Sequence, residues 1–195
     1  MRNLTVWGLA LALIATSCNI GEGEAVRIDK YFDLVNLLNE QAELLYSKGA
    51  RIEKELVANG EKEQLTITPD AVDRLKEELK LFYDADINKP GLSDAYFTEQ
   101  LPGLNGNRKV INTAKKAGPN VRLIEYDYQD DKLRQIRIVV EDKNDIYTFE
   151  KEMLLGFDLA DGREILNSFS ITGKQDMVLK SELDFSLSGK LLFNP

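Results

Sequence analysis

The stretch Leu133-Arg134-Gln135-Ile136-Arg137-Ile138-Val139-Val140-Glu141-Asp142 decides the fold class, because apolar and polar residues alternate along much of it. Ile136, Ile138 and Val140 recur at every second position, which predicts a β-strand with one buried and one solvent-facing side. Runs of similar length lie before and after it, separated by short breaks rich in turn-forming residues. The predicted strands are residues 108–116, 121–128, 133–142, 146–155, 164–171 and 175–187. The pattern predicts an antiparallel meander of about six strands, with residues 190–193 as a last edge.

Two amphipathic helices are predicted before the meander. Across residues 25–48, apolar residues recur at helical spacing and are numerous enough to require cover on much of the helix. The polar face of this helix is acidic, which favours packing in the core over the alternative of a helix lying in the bilayer. Thr68 is predicted to cap the second helix, which ends near Asp84. Its predicted buried stripe is Val72, Leu75, Leu79 and Phe82.

A β-hairpin is predicted between the two helices. Asn59-Gly60 separates residues 51–58 from residues 61–68, and this dipeptide suits a type I′ turn, in which both central residues have a positive φ. Pairing through the turn places Ile52 opposite Ile67. Residues 101–107 are predicted to form a loop because they are rich in Gly, Pro and Asn. The predicted fold class is therefore α+β, with two amphipathic helices and a β-hairpin packed against a curved antiparallel β-meander of about six strands.

The N-terminus has the layout of an export signal. Arg2 precedes an apolar run over residues 4–15, which is shorter than the roughly 20 residues that a membrane-spanning helix needs. The stretch Leu13-Ile14-Ala15-Thr16-Ser17-Cys18 resembles the lipobox of bacterial lipoproteins, although Ala15 stands where that family usually has Leu. The resemblance implies that Cys18, the chain's only cysteine, is acylated. The alternative is an ordinary cleavage site at Ala15 and Ser17 with an incidental cysteine.

The predicted organisation has three parts: a lipoprotein signal peptide at residues 1–17, the lipidated cysteine and an acidic tether at residues 18–24, and a single α+β domain at residues 25–195. In lipoproteins of this kind, a residue such as Asn19 after the cysteine implies sorting to the outer membrane, with the domain on its periplasmic or cell-surface face. The acidic residues that follow resemble the export signal of surface-displayed Bacteroidetes lipoproteins. A solvated linker, however, would be acidic as well.

A broader resemblance covers the order of elements along most of the chain. A lipobox, a long helix and an Asn-Gly hairpin precede the segment Asp86-Ile87-Asn88-Lys89-Pro90. Together they resemble a family of small Bacteroidetes outer-membrane lipoproteins of unknown function. The resemblance implies attachment to the membrane through Cys18, and it carries over no catalytic residue.

Composition excludes several classes of chemistry. The chain has no histidine, which removes Ser-His-Asp and Cys-His nucleophile pairs and the imidazole ligands of most zinc, copper and non-haem iron sites. With Cys18 assigned to lipid, thiol chemistry is removed as well. The net charge of −8 makes nucleic acid a poor partner, because phosphate binding needs a basic footprint. We therefore predict a protein that is not an enzyme and that binds neither a cofactor nor nucleic acid.

One short segment invites a calcium interpretation. Asp84, Asp86 and Asn88 occupy alternate positions, as ligands do in a calcium-binding loop. However, Lys89 stands where the sharp turn of such a loop needs Gly, and Ala95 stands where the bidentate Glu belongs. The favoured interpretation is the end of a helix followed by a turn.

Three functions stay open at this stage. The leading hypothesis is a lipid-anchored cell-envelope lipoprotein that acts as a non-enzymatic binding or assembly module with an envelope protein as partner. The alternative is a carrier or chaperone of an apolar ligand, either a lipid or a lipoprotein, in a half-barrel-like cavity between sheet and first helix. The third is a carboxylate or metal enzyme such as a glycosidase, in which Asp158 and Asp161 could pair as acid and base. Their position beside Gly162 favours ordinary turn chemistry instead.

Overall fold

The computed structural model describes residues 29–143, 147–177 and 180–193. Three helices lie in this part of the chain: α1 (Leu34–Ser47), α2 (Val72–Glu78) and α3 (Lys80–Asp84). The strands are β1 (Arg51–Ala58), β2 (Glu61–Ile67), β3 (Tyr96–Pro102), β4 (Arg108–Ala114), β5 (Val121–Gln129), β6 (Lys132–Lys143), β7 (Tyr147–Ala160), β8 (Arg163–Met177) and β9 (Lys180–Leu192).

All these strands belong to one antiparallel sheet with the order β2-β1-β9-β8-β7-β6-β5-β4-β3. Each strand from β3 to β9 pairs with its neighbour in sequence, and β1 then pairs with β9. As a result, β2 and β3 are the two edge strands, and the connection between them must cross the sheet. That connection carries α2 and α3.

The predicted α+β class is wrong, because the described chain is mostly β, with a nine-stranded sheet and three short helices. Two features account for the difference. The β1–β2 hairpin extends the sheet, since Ile52 pairs with Leu191 of β9, whereas the prediction packs the hairpin against the sheet. In addition, β3 is a strand that the sequence does not reveal, because every residue after Tyr96 in it is exposed and shows no apolar period.

The last predicted strand is also wrong in its bounds. Residues 175–187 span the end of β8 and the start of β9, and Met177 pairs with Lys180 across the reversal. The two residues between them, Val178 and Leu179, are apolar and therefore give no turn signal. The predicted separate edge at residues 190–193 is likewise wrong, because residues up to Leu192 continue β9 in the interior of the sheet.

Both predicted helices begin too early. The side chain of Asp33 accepts a hydrogen bond from Asn36 N at 2.8 Å, which makes Asp33 the N-cap of α1 and excludes residues 29–32 from the helix. Residues 25–28 lie outside the described part of the chain. Thr68 does not cap the second helix, whose N-cap is Ala71 without a side-chain hydrogen bond. The predicted end at Asp84 is confirmed, as is the pairing of Ile52 with Ile67 around Asn59-Gly60.

The three helices pack on one side of the sheet, which we call the inner face, and the opposite side is the outer face. Glu78 of α2 forms an ion pair with Lys54 of β1. The centres of the Phe82 ring in α3 and the Phe169 ring in β8 lie 6.2 Å apart. The connection then reaches the other edge of the sheet at Tyr96. The buried inner-face residues include Ile124, Tyr126, Ile136, Ile138, Met153, Leu155, Ile171 and Leu191.

The contact between α1 and the sheet includes one buried amide. Gln41 Nε2 donates to Glu164 O at 3.0 Å, and Gln41 Oε1 accepts from Leu166 N at 2.7 Å. The pairing of β8 with β9 begins only at Ser168, so the amide satisfies backbone groups of β8 that lie before this pairing. This fixes α1 against the start of β8.

Candidate binding face

The outer face brings together residues that are far apart in sequence. Across the centre of the sheet, Glu53 of β1 lies opposite Lys190 of β9, which lies opposite Ser168 of β8, and Ser168 lies opposite Gly156 of β7. The next row toward the β8–β9 reversal contains Glu55, Ser188, Ser170 and Leu154. Since alternate residues of a strand face opposite sides, these side chains point away from the helices.

These rows form the floor of a groove with a volume of about 940 Å³. The floor is shallow at the centre because three residues there are serines and one is Gly156. Longer side chains border it, with Gln64 of β2 on one side and Gln135 of β6 on the other. We call this depression the serine groove. It is lined by hydroxyl, amide and charged groups together with apolar side chains such as Leu154.

A β-bulge shapes one wall of the serine groove. The register of β7 and β8 shifts between Gly156 and Phe157, and Asn167 is the extra residue on β8. The Asn167 amide donates to Asp158, and Ser168 Oγ donates to Asn167 Oδ1 at 2.8 Å. A Cβ on Gly156 would lie 2.5 Å from Ser168 Oγ, so only glycine leaves room for this arrangement.

A second depression of about 830 Å³ continues the outer face toward the β1–β2 turn and the β8–β9 reversal. Most of its charged side chains are in ion pairs: Arg137 with Glu125 and Glu152, Arg122 with Glu141, and Lys174 with Asp184. Because opposite charges alternate across the strands, this part of the face presents no large field of one sign. Recognition here would rely on hydrogen bonding and shape.

Glu125 is the most enclosed carboxylate in this ladder. Burial would raise its pKa, but the hydrogen bonds from Arg137 at 2.7 Å and from Lys109 at 3.3 Å outweigh that effect and lower the pKa. The hydrogen bonds that Arg137 donates to Glu125 and Glu152 raise the pKa of Arg137. Both groups are therefore charged at neutral pH and hold β4, β5, β6 and β7 together on the outer face.

The proposed acid–base pair is divided between different partners. Asp158 lies on β7 and accepts the hydrogen bond from Asn167, whereas Asp161 lies in the β7–β8 turn and pairs with Lys48 at 3.2 Å. The turn residues Asp161 and Gly162 have φ values of +52° and +75°. This geometry is typical of a type I′ turn, so Asp161 serves the turn.

The three residues that suggested a calcium site have different roles in the structure. Asp84 is exposed at the end of α3, whereas Asp86 and Asn88 are buried. The Asn88 side chain is used entirely for the backbone of residues 30–32: its Oδ1 accepts from Lys30 N and Tyr31 N, and its Nδ2 donates to Tyr31 O and Phe32 O. Among the described residues, no group of three or more acidic side chains could hold a metal ion.

The space between α1 and the sheet is filled by side chains. Leu38, Ala42 and Leu45 are completely buried in one core with the inner-face residues. The apolar residues of α1 and of the sheet therefore pack on one another where the carrier hypothesis places a ligand. A smaller cleft of about 700 Å³ lies at the flank of α1, where Phe32, Leu37, Leu44, Tyr128 and Leu133 meet.

The predictions about the N-terminus and about relatives concern features beyond the described sheet and helices. Cys18, the predicted lipidation site, lies outside the described residues. None of the described helices is long and apolar enough to cross a bilayer. No family of known proteins matches the chain, and neither characterised proteins nor solved structures show significant similarity to it. The resemblance to Bacteroidetes lipoproteins therefore stays a prediction.

The serine groove is the site that sequence reasoning missed. Ser168 and Ser170 in β8 and Ser188 in β9 do alternate with apolar residues, which is a signal of one polar sheet face. The sequence does not show that β1 lies beside β9, and without that neighbour the serines have no second wall.

Proposed function

We propose that the protein is a lipid-anchored lipoprotein of the cell envelope, at the outer membrane, and that it binds a polar partner on its outer face without catalysis. The observation that carries the proposal is the serine groove, a depression with both polar and apolar lining on the side of the sheet that no described helix covers. Small hydroxyl side chains at the floor, bordered by amides, suit a partner that presents hydrogen-bonding groups, such as an extended segment of another envelope protein.

The absence of histidine supports a binding role over a catalytic one. Two of the three carboxylates that line the groove are already engaged: Asp158 accepts from Asn167, and Glu55 pairs with Lys62 at 2.8 Å. Pairing with Lys62 and Gln64 lowers the pKa of Glu55, so it is not poised as a general acid at neutral pH.

The membrane attachment is tested separately from the groove. We expect labelled palmitate to enter the protein in bacterial cells that process lipoproteins, and we expect Cys18→Ala to abolish the labelling. The substitution removes the only thiol of the chain. Labelling that survives Cys18→Ala would show that the lipobox interpretation is wrong.

The groove is tested by blocking it. Ser170→Arg places a long charged side chain on the groove floor, and Asp73→Arg adds the same side chain on the exposed side of α2 as a matched control. We expect a partner that co-purifies with the wild-type protein from native membranes to be lost with Ser170→Arg and retained with Asp73→Arg. Equal recovery with both variants would contradict the assignment of the binding face.

The carrier hypothesis keeps one supporting observation, the apolar cleft at the flank of α1. Under this hypothesis, a fluorescent fatty acid binds residues 19–195 and its affinity falls in Leu37→Asp. Leu81→Asp is the control, because Leu81 is an exposed leucine on a different helix. An affinity that is immeasurable, or that is equal in both variants, would remove the carrier hypothesis.

A further inference from the structure

The two edges of the sheet differ in their chemistry. The β2 edge begins with Glu61, Lys62 and Glu63, and charged residues of this kind protect an exposed edge strand from unwanted pairing. The β2 edge exposes one large apolar side chain, Leu65, whereas the β3 edge exposes three: Phe97 is 61% exposed, Leu101 is 49% exposed, and Leu104 in the turn that follows is 84% exposed. We call Phe97, Leu101 and Leu104 the edge patch.

The side chains of Phe97 and Leu101 lie on the outer face at its β3 border, with the exposed Glu99 between them on the same face. Phe97 pairs with Thr113 and Leu101 pairs with Lys109, so both side chains point away from the inner face, and Leu104 projects from the β3–β4 turn. Lys115 Nζ lies 5.0 Å from the centre of the Phe97 ring. Exposed aromatic and aliphatic side chains with flanking lysines are typical of surfaces that lie in a membrane interface.

The N-terminal end of the described chain lies beside this edge. Lys30 forms an ion pair with Asp94, just before β3. The ring of Tyr31 packs edge to face on that of Tyr96, with the ring centres 5.6 Å apart. Tyr31 OH donates to Ser93 O at 3.0 Å and accepts from Tyr96 N at 3.4 Å. Lys30 and Tyr31, at the start of the described chain, are therefore held at the β3 edge of the sheet.

The distance to the proposed anchor is limited by the length of chain outside the described residues. Ten residues lie between Cys18 and Asp29, and the eleven steps from one to the other reach at most about 40 Å in any conformation. The β2 edge lies eight strand spacings from β3, or roughly 38 Å. The β3 edge is therefore the part of the sheet that meets the bilayer with the least extension of the chain.

We propose that the edge patch of Phe97, Leu101 and Leu104 is a second membrane contact, which rests at the headgroup boundary of a zwitterionic bilayer and orients the domain. The inference rests on the anchor at Cys18 for the choice of occupant. The contact stays at the interface, because the unpaired backbone groups of an edge strand must remain hydrated. Adjacent strands rotate by about 20–25°, so five steps turn the serine groove at β8 away from the bilayer by about 100°.

The contact can be tested without cellular lipidation. Trp7 is the only tryptophan, so residues 18–195 contain none, and the single thiol of Cys18 can be coupled to a maleimide headgroup lipid. Leu104→Trp reports on the edge patch, and Leu65→Trp is the matched control, since Leu65 is 59% exposed on the opposite edge strand. Both proteins are coupled to vesicles of phosphatidylcholine and phosphatidylethanolamine that contain lipids with brominated acyl chains.

We expect the bromine atoms to quench the fluorescence of Leu104→Trp about threefold more than that of Leu65→Trp. Adding Phe97→Asp and Leu101→Asp to Leu104→Trp should reduce the quenching to the control level, with an unchanged circular dichroism spectrum as evidence of folding. Equal quenching of the two tryptophans would overturn the proposal. So would a blue shift of Leu104→Trp that appears without vesicles as the protein concentration rises, because that result assigns the patch to a second copy of the chain.

The outcome is separate from that of the palmitate experiment. Selective quenching of Leu104→Trp in the coupled protein supports the edge patch even if cells fail to acylate Cys18. Acylation of Cys18 together with equal quenching leaves the anchor in place and removes the second contact.

Discussion

Replacing Asn88 by Ala should destabilise the protein more than any other change in the segment that resembles a calcium loop. The Asn88 side chain is 2% exposed and forms four hydrogen bonds of 2.9–3.2 Å with the backbone of residues 30–32. Each such bond contributes about 0.5–1.5 kcal/mol net. Water can replace part of them, because Lys30 is exposed and Tyr31 and Phe32 are only half-buried, so the expected loss is about 2–4 kcal/mol.

Urea unfolding of residues 19–195 measures this loss, and Asn120→Ala is the control, because the Asn120 side chain is exposed. A loss of this size lowers the melting temperature by about 5–15 °C in a chain of this length. Hydrogen exchange of the Tyr31 amide should accelerate in Asn88→Ala before the rest of the protein unfolds. A free energy of unfolding within about 0.5 kcal/mol of that of the control would refute the role of Asn88 in holding the backbone of residues 30–32 in place.

Asn88→Asp separates this account from the calcium interpretation. The carboxylate still accepts from Lys30 N and Tyr31 N, but two lone pairs then face the carbonyls of Tyr31 and Phe32, which Nδ2 previously served. We expect Asn88→Asp to be at least as destabilising as Asn88→Ala at pH 7, with or without millimolar calcium. Calcium-dependent stabilisation of Asn88→Asp would show that the loop is a cation site.

Three other substitutions test the sheet. Gly189→Ala should lower the free energy of unfolding in urea by about 2–3 kcal/mol, because the new Cβ would lie 2.2 Å from the buried ring of Phe169. Gly118→Ala is the control and should be neutral, since a Cβ there meets no atom within 4 Å. Equal effects of the two substitutions would show that the sheet relaxes around the added methyl group. Glu125→Gln should destabilise the protein at pH 7 by about 1–2 kcal/mol. Because folding lowers the pKa of Glu125, this extra stability is present above the pKa of the unfolded chain, near 4.5, and is lost as the pH falls through the pKa of the folded state. A stability difference between the two proteins that stays constant down to pH 3 would contradict the pairing. Tyr126→Phe should leave stability unchanged or raise it by about 1 kcal/mol, because the buried hydroxyl has no hydrogen-bond partner among the described residues, and a clear loss in thermal melting would reveal one.

Local rules in the sequence predicted local structure well. Asn59-Gly60 predicted a type I′ turn and the pairing of Ile52 with Ile67, because a two-residue turn fixes the register of the strands that it joins. The end of the second helix at Asp84 followed from the same kind of local signal. These predictions depend on residues that are neighbours in the chain.

The predictions that failed depend on partners distant in sequence or on missing signals. β3 carries no apolar period because its side chains are exposed, and its pairing with β4 makes it a strand all the same. The reversal after Met177 lacks turn residues, so the last predicted strand, residues 175–187, joined the end of β8 to the start of β9. α1 begins only at Leu34 because Asn88, more than fifty residues later, holds the preceding residues in a non-helical conformation.

The candidate site shows the same division. The sequence indicates that β8 and β9 each have a polar side. The serine groove also needs β1 beside β9, and this pairing of the first strand with the last cannot be predicted from local pattern. Spacing alone also suggested chemistry for Asp158 and Asp161. Their actual partners, Asn167 and Lys48, become visible only when the turn and the end of α1 are in place.

The central claim is that the serine groove is the surface through which the anchored protein binds its partner. It is tested most directly by a photo-activated benzophenone amino acid at Ser170, compared with the same residue at Asp73 on α2, in living cells that carry the full-length protein. The account predicts one discrete cross-linked species from Ser170, absent from Asp73, that disappears when Ser188→Arg fills the groove. Cross-linking from Asp73 alone, or a Ser170 product that persists in Ser188→Arg, would contradict it.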